Sequence, residues 1–261
     1  MMRSPAVALE VEHIAVSFGG IRAISDLTFA VGDRELVSLI GPNGAGKTTA
    51  FNAISGFIRP SGGRIVYQGQ LINGMKPYQV ATLGLVRTFQ RTSLFERESV
   101  FQNVLIGLHH QGKRKSWEYL LALPRVGREE AALRDRAHEI LDFVGLSSRA
   151  SDIAGTLPYG EQRLLGVGIA LAARPKLLML DEPVSGMNPT ETAKFMVMLQ
   201  NIRREGLSIL LVEHDMRMVM SVSDRVIALD YGRVIAEGNP VEIQTHPEVI
   251  QIYLGHGAKH A

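Results

Sequence analysis

Eight consecutive residues, Gly41, Pro42, Asn43, Gly44, Ala45, Gly46, Lys47 and Thr48, have the G-x-x-x-x-G-K-[ST] spacing of a loop that grips phosphate. Small residues suit such a loop because backbone N–H groups must close around a multiply charged group. The N-terminus of a following helix adds its positive dipole end. Lys47 has the reach and charge for the β and γ phosphates of a nucleoside triphosphate, and the Thr48 hydroxyl suits a place on Mg2+. Thr49 continues the same phosphate-binding set.

A second constellation supplies acid. The run Leu177-Leu178-Met179-Leu180-Asp181-Glu182 is apolar and ends in two carboxylates, which places them at the carboxyl edge of a sheet, where ligands bind in α/β folds. Adjacent strand residues face opposite ways, so the two acids have different jobs: Asp181 to hold the Mg2+ shell, Glu182 to orient or deprotonate an attacking water. His214 follows another apolar run, Ile209–Val212, where it can touch a γ phosphate or fix Glu182. Gln90, after Val86–Phe89, is placed to sense water and metal. Alone, either residue has an ordinary structural explanation.

The elements that must position these groups are legible in the apolar spacing. Glu35–Ile40 is almost continuously apolar, as a strand covered on both faces of a parallel sheet must be. Alternation through Leu9, Val11, Ile14 and Val16, and again through Leu27, Phe29 and Val31, with turns at Gly19-Gly20 and Gly32-Asp33, predicts an antiparallel β opening. Short strands are expected at Ile65–Tyr67 and Gln70–Ile72. From Val100 to Val144 the spacing becomes helical, interrupted by the basic His109–Lys115 and by Pro124. From Leu177 the βα alternation returns, with strands near Val226 and Val234 and helices from Pro189 and Met216. The helix at Pro189 has a complete start signal: Asn188 as cap, proline at the first position and Glu191 closing a capping box. The expected architecture is α/β: a P-loop NTPase core with a mostly parallel sheet, an N-terminal antiparallel β subdomain and an inserted helical subdomain. It is one domain over 1–261, with the insert at 91–165 and the core and tail resuming over 166–261.

Composition narrows the classes. A chain of 261 residues, 46% hydrophobic, can bury a sizeable core. Zero cysteines exclude a disulfide framework, a thiol nucleophile and cysteine-ligated metal, and suit a reducing compartment. The 28 basic and 26 acidic residues leave a net charge of +2, so nothing marks a nucleic-acid partner. No apolar stretch approaches the roughly 20 residues needed to cross a bilayer, so a membrane role would come through a partner.

These residues, in this order, resemble the ATP-binding subunits of ABC transporters from about Leu9 to Leu254. In that family's terms Phe18 stacks on adenine, Gly41 to Thr48 is the Walker A loop, Gln90 the Q-loop and Leu177 to Glu182 the Walker B strand. Ser185–Asn188 is the D-loop and His214 the switch histidine. The resemblance implies ATP and Mg2+ as cofactors, with Glu182, His214, Lys47 and Gln90 catalytic and Thr48, Gln90 and Asp181 at the metal. Leu157-Pro158-Tyr159-Gly160-Glu161-Gln162 stands where the family usually reads L-S-G-G-Q. Pro158 removes both a hydroxyl and an N–H, so contact with the γ phosphate falls to Gly160 and the amides after it.

Tyr159, Phe18-Gly19-Gly20, Glu213–Met216 and a tail at Tyr253-Leu254-Gly255 resemble the branched-chain amino acid uptake type. Related urea and amide importers share these markers. The implied partners are ABC permease membrane subunits, a second copy or a paralogue in a head-to-tail dimer and, indirectly, a solute-binding protein. The implied place is the cytoplasmic face of the inner membrane, held peripherally. Soluble ABC ATPases of DNA repair or translation share the core motifs but generally carry two cassettes or long coiled coils. A P-loop kinase would not need Leu157–Gln162, Gln90 and His214.

Overall fold

The computed structural model describes residues 7–88, 94–109 and 124–257. The chain divides into two compact units, one of Met1–Arg87, Lys176–Pro183 and Leu199–Ala261, the other of Thr88–Pro175 and Val184–Met198.

The first unit is built on a ten-stranded sheet. Its strands are β1 (Val7–Phe18), β2 (Ile21–Gly32), β3 (Leu36–Ile40), β4 (Gly62–Tyr67), β5 (Gln70–Leu71), β6 (Leu85–Arg87), β7 (Leu177–Asp181), β8 (Ser208–Val212), β9 (Arg225–Asp230) and β10 (Arg233–Gly238). Their spatial order is β5-β4-β1-β2-β10-β9-β3-β8-β7-β6. The half beginning with β5 is antiparallel, as the alternating sequence predicts: β1 pairs with β2 and β4, and β4 with β5. Gly19 and Gly20 both take positive φ in the two-residue turn joining β1 to β2, a conformation that favours glycine in tight hairpins. From β9 to β6 the pairing is parallel, and β10 joins the two parts, parallel to β2 and antiparallel to β9. β3 lies between β8 and β9, followed by β7 and β6, and every residue of β3, β7 and β8 is buried. That two-sided burial is the physical reason these strands read as unbroken apolar runs.

Helices of this unit are α1 (Lys47–Ile54), α2 (Pro77–Thr82), α7 (Met216–Val222), α8 (Pro240–Thr245) and α9 (Pro247–Gly257). The main core joins Phe51 and Ile54 of α1 to Leu39 of β3, Met179 of β7, Leu210 of β8 and the inner faces of β1 and β2. Glu35, just ahead of β3, accepts two hydrogen bonds of 2.8 Å from Arg225 and one of 2.6 Å from the Gly32 amide. Burial pushes its carboxyl up, but the Arg225 and Gly32 hydrogen bonds outweigh that and hold it below the ordinary value. The strand leading to the phosphate loop is thereby tied to the start of β9.

The second unit is helical: α3 (Val100–His109), α4 (Pro124–Phe143), α5 (Tyr159–Ala172) and the first turns of α6 (Pro189–Arg204), whose residues from Leu199 on belong to the first unit. α3, α4 and α5 pack on one another, and Val104, Leu108, Ile140, Leu141 and Leu165 on them are buried. Gly107 lets α3 approach α5 closely, since a Cβ there would sit 3.1 Å from that of Ala172. Asn103, fully buried, bonds both the N–H and the C=O of Phe95 and so fixes the segment before α3. Among the described residues no helix is long and apolar enough to cross a membrane.

Candidate active site

β3 ends at Ile40 and α1 begins at Lys47, so the phosphate-type loop occupies the strand-to-helix corner. Glycine is required at its two ends. Gly41 has φ 150°, and a Cβ there would meet the Leu229 carbonyl oxygen at 2.3 Å. Gly46 has φ 102°, and its Cβ would lie 3.0 Å from the Ala23 carbonyl. The Gly232 amide donates to Ala45 O at 2.9 Å, so the β9–β10 turn braces the loop. Lys47 is buried and donates to the Gly41 and Pro42 carbonyls at 2.7 and 3.0 Å. Burial pushes its ammonium down, and the fields of Glu182 and Asp181 work against that. Gly46 gives α1 no side-chain cap and its first turn holds no acid, so the dipole end is not neutralised locally. Asn43, Gly44 and Thr48 are exposed beside it.

Asp181 closes β7 with its carboxylate 1% exposed. Arg87, the last residue of β6, donates to Oδ2 at 2.8 Å, while Oδ1 is buried with no hydrogen-bond partner. Burial pushes the Asp181 carboxyl up, and Arg87 works against it. Glu182, half-buried, follows at φ 46° with its N–H on the Val212 carbonyl at 2.9 Å. A glutamate in the left-handed region costs about 1–3 kcal/mol, and such strain concentrates at functional sites. The chain therefore turns out of the strand at Glu182 rather than continuing its alternation.

His214 is exposed after β8. Its approach is set by buried Glu213, whose carboxylate accepts from the amides of His214 and Asp215 at 3.0 and 3.4 Å. Asp215 then caps α7 through the Met218 amide at 3.1 Å. Phe18, at the end of β1, is 48% exposed, as a ring available for stacking must be. Gln90 lies outside the described residues, as does the expected boundary at 91.

The second unit holds Leu157–Gln162. Leu157 is core and Pro158, exposed, stands at the N-cap of α5 with no side-chain cap. Tyr159 is 45% exposed, its hydroxyl accepting from Arg163 Nε at 3.0 Å and its ring 4.9 Å from that guanidinium. Gly160 is buried, and a Cβ on it would meet the Glu191 carboxyl carbon at 2.7 Å. Glu161 pairs with Arg149 at 3.3 Å, and Gln162 donates to the Leu157 carbonyl at 2.9 Å. Asn188 and Glu191 form the expected capping box: the amides of Thr190 and Glu191 reach Asn188 Oδ1 at 3.0 Å, and Asn188 N–H reaches Glu191 at 2.9 Å. Tyr159 packs against Gly186, whose Cβ would lie 3.3 Å from the ring. In the segment leading into α3, Phe95 is exposed, whereas Val100 is fully buried and belongs to the core. Arg87 and Asn52 shape the site without having been marked by any motif.

The arrangement fits a nucleotide polyphosphate with its cation. The loop's glycines at 41 and 46 leave no room for a side chain, its helix end carries no anion, and the orphaned Asp181 Oδ1 is an acceptor awaiting a partner. Among the described residues no group of three or more His, Cys, Asp or Glu could hold a metal. A cation held here would take phosphate oxygens and water into its shell, the usual manner of Mg2+. Fold and loop together define a P-loop nucleoside triphosphatase.

Known proteins narrow this class. The family model described as ABC transporter matches residues 24–185, and that of the branched-chain amino acid ATP-binding cassette transporter matches residues 233–259. The chain belongs to the ABC transporter family, as one of its ATP-binding cassettes. It is 41% identical over 248 residues to the high-affinity branched-chain amino acid transport ATP-binding protein LivG of Salmonella typhimurium, covering 95% of this chain and 97% of that protein. It is 40% identical to BraF, of the same description, from Pseudomonas aeruginosa, over the same shares. Among solved structures, the ADP conformation of MJ1267, an ATP-binding cassette of an ABC transporter, superposes with a TM-score of 0.83 at 30% identity, covering 95% of this chain and 99% of that one.

Proposed function

We propose that this chain is the ATP-hydrolysing subunit that energises an importer of branched-chain amino acids. The observation that carries the reading is the 41% identity spanning 95% of the chain to a protein of that description, supported by the match at residues 233–259. The whole of 1–261 acts as one ABC ATPase domain, with the helical insert at 91–165 bearing Leu157–Gln162 and the core and tail over 166–261.

The geometry supports the following residue roles. Gly41–Thr49 wraps the phosphates with backbone amides, and Lys47 leaves the Gly41 and Pro42 carbonyls for the β and γ phosphates. Phe18 stacks on the base. Mg2+, when bound, neutralises phosphate charge, with Thr48, Asp181 and Gln90 the residues that would hold its shell. Glu182 takes the proton of the attacking water, and His214 steadies that water and the γ phosphate. Pro158, Tyr159, Gly160, Glu161 and Gln162 present the N-terminus of α5 to the ATP held by a second subunit.

Two such subunits, alike or paralogous, work head to tail on ABC permease membrane subunits at the cytoplasmic face of the inner membrane. A solute-binding protein delivers the cargo outside. ATP favours the closed pair, and hydrolysis with phosphate release reverses that preference. Exposed Phe95 is an apolar anchor for a helix of the membrane subunit, so the test is uptake of labelled leucine in cells lacking this chain, complemented by wild type or by Phe95→Asp. Wild type should restore uptake and Phe95→Asp should not. Unchanged leucine, isoleucine and valine uptake in the deletion strain would exclude the substrate while leaving the ATPase intact.

A further inference from the structure

Arg87 is 10% exposed and divides its guanidinium between two elements. Nη2 donates to Asp181 Oδ2 at 2.8 Å, while Nη1 donates to Asn52 Oδ1 at 2.6 Å and to Ser55 Oγ at 3.2 Å. Asn52 and Ser55 belong to α1 or its cap, the helix that begins at Lys47. The rings of Phe51 and Phe57 lie 5.5 and 5.9 Å from the guanidinium carbon and keep it in place. One side chain thus joins the end of β7 to the helix behind the phosphate loop.

A pair serving stability alone would be expected to use the two-pronged contact of which arginine and carboxylate are capable, satisfying both oxygens. Here Asp181 is bound through Oδ2 only, and Oδ1 is left bare although it is buried. A bare buried acceptor is destabilising, and a bound partner relieves that cost. Lys47, the other nearby cation, has its ammonium on loop carbonyls. Arg87 is therefore the group that sets the Asp181 carboxylate.

We propose that Arg87 is a positioning residue for Mg2+: it holds Oδ2 of Asp181 against α1 so that Oδ1 is presented to the cation shell of the bound nucleotide. The inference rests on the role proposed for Asp181. Residues that orient a ligand from behind change metal affinity by about 10–100-fold when removed, without touching the metal.

The test uses the full chain and a fluorescent, non-hydrolysable ATP analogue, with affinity measured in EDTA and in excess Mg2+. For Arg87→Met the affinity in EDTA should stay within about twofold of wild type, while the ratio of Mg2+ to EDTA affinity should fall about tenfold. Arg87→Lys, which keeps the charge but cannot span Asp181 and Asn52, should fall in between. Arg87→Met/Asp181→Asn should be no worse than Asp181→Asn alone. An unchanged ratio overturns the proposal, as does an equal loss in both conditions with a lowered melting temperature, the mark of a scaffold role. If Arg87→Met does not fold, Arg87→Lys and Asn52→Leu decide, and a wild-type ratio in both overturns it. A wild-type ratio in Asp181→Asn removes the Asp181 role and this proposal with it, whereas failure of the wild-type chain to bind the analogue removes the ATPase reading itself.

Discussion

Lys47 is loop scaffold in the structure and reagent in the proposed reaction. Its ammonium lies on the Gly41 and Pro42 carbonyls at 2.7 and 3.0 Å, so the loop keeps the lysine close to where phosphate would bind. Such preorganisation acts chiefly on charge that develops in the transition state. Lys47→Ala is expected to lower ATP turnover by about 10²–10³-fold, measured as phosphate release by the purified chain. Near-normal turnover would remove Lys47 from its role. This residue was legible in the sequence because the loop is contiguous: the motif carries its own strand, corner and helix. Arg87 was not, because its meaning is a contact with a residue 94 positions away. The left-handed backbone at Glu182 was equally hidden, since nothing in Asp181-Glu182 distinguishes strand continuation from a reversal.

At the scale of elements, the strand and turn pattern was readable wherever burial imposed a period. Alternation marked β1 and β2, with one solvated face, and unbroken apolar runs marked β3, β7 and β8. What escaped is how the loop's corner is held. A Cβ at Gly41 would meet the Leu229 carbonyl at 2.3 Å, whereas at Gly44 nothing lies within 4 Å. Gly41→Ala should therefore destabilise by about 1–3 kcal/mol and weaken nucleotide binding, because β9 or the loop must shift. Gly44→Ala carries only backbone strain, about 1–2 kcal/mol. Thermal melts with and without ATP separate the two, and equal losses in both assays would contradict the packing account. The Glu35–Arg225 tie gives a pH dependence. The Glu35 carboxyl is held below its ordinary value of 4.5, so its stabilisation is full above that pH and is lost as pH falls through the depressed folded value. Asp181 acts oppositely: its raised carboxyl penalises folding when ionised, a penalty that fades in acid. Glu35→Gln should lower stability near neutrality by about 1.5–3 kcal/mol and flatten the acid loss that sets in below the ordinary Glu35 value. An unchanged acid limb in melting experiments would show that other carboxylates dominate it.

At the scale of the whole molecule, an uncapped helix N-terminus proposed to bind phosphate occurs twice, at α1 in the first unit and at α5 in the second. Neither has a side-chain cap, and the residues opening each, Asn43, Gly44 and Thr48 in one and Pro158 and Tyr159 in the other, are exposed. In the proposed head-to-tail pair one ATP satisfies the first set on one subunit and the second set on its partner, so nucleotide is itself the ligand that closes the dimer. Hydrolysis then limits the lifetime of the pair. Glu182→Gln keeps side-chain size but cannot accept the proton of the attacking water, so it should bind ATP normally and lower hydrolysis by about 10²–10⁴-fold. With the exit step blocked, the variant should elute as a dimer in size-exclusion chromatography with ATP and Mg2+ and as a monomer without nucleotide, while wild type dimerises only transiently. Adding Gly160→Glu to Glu182→Gln would bring a side chain and a negative charge against the Glu191 carboxylate and should abolish that dimer with little change in ATP binding by the monomer. A Glu182→Gln chain that hydrolyses ATP at the parental rate would place the base elsewhere, and one that is inactive yet stays monomeric in ATP would break the link between the two phosphate-binding sets.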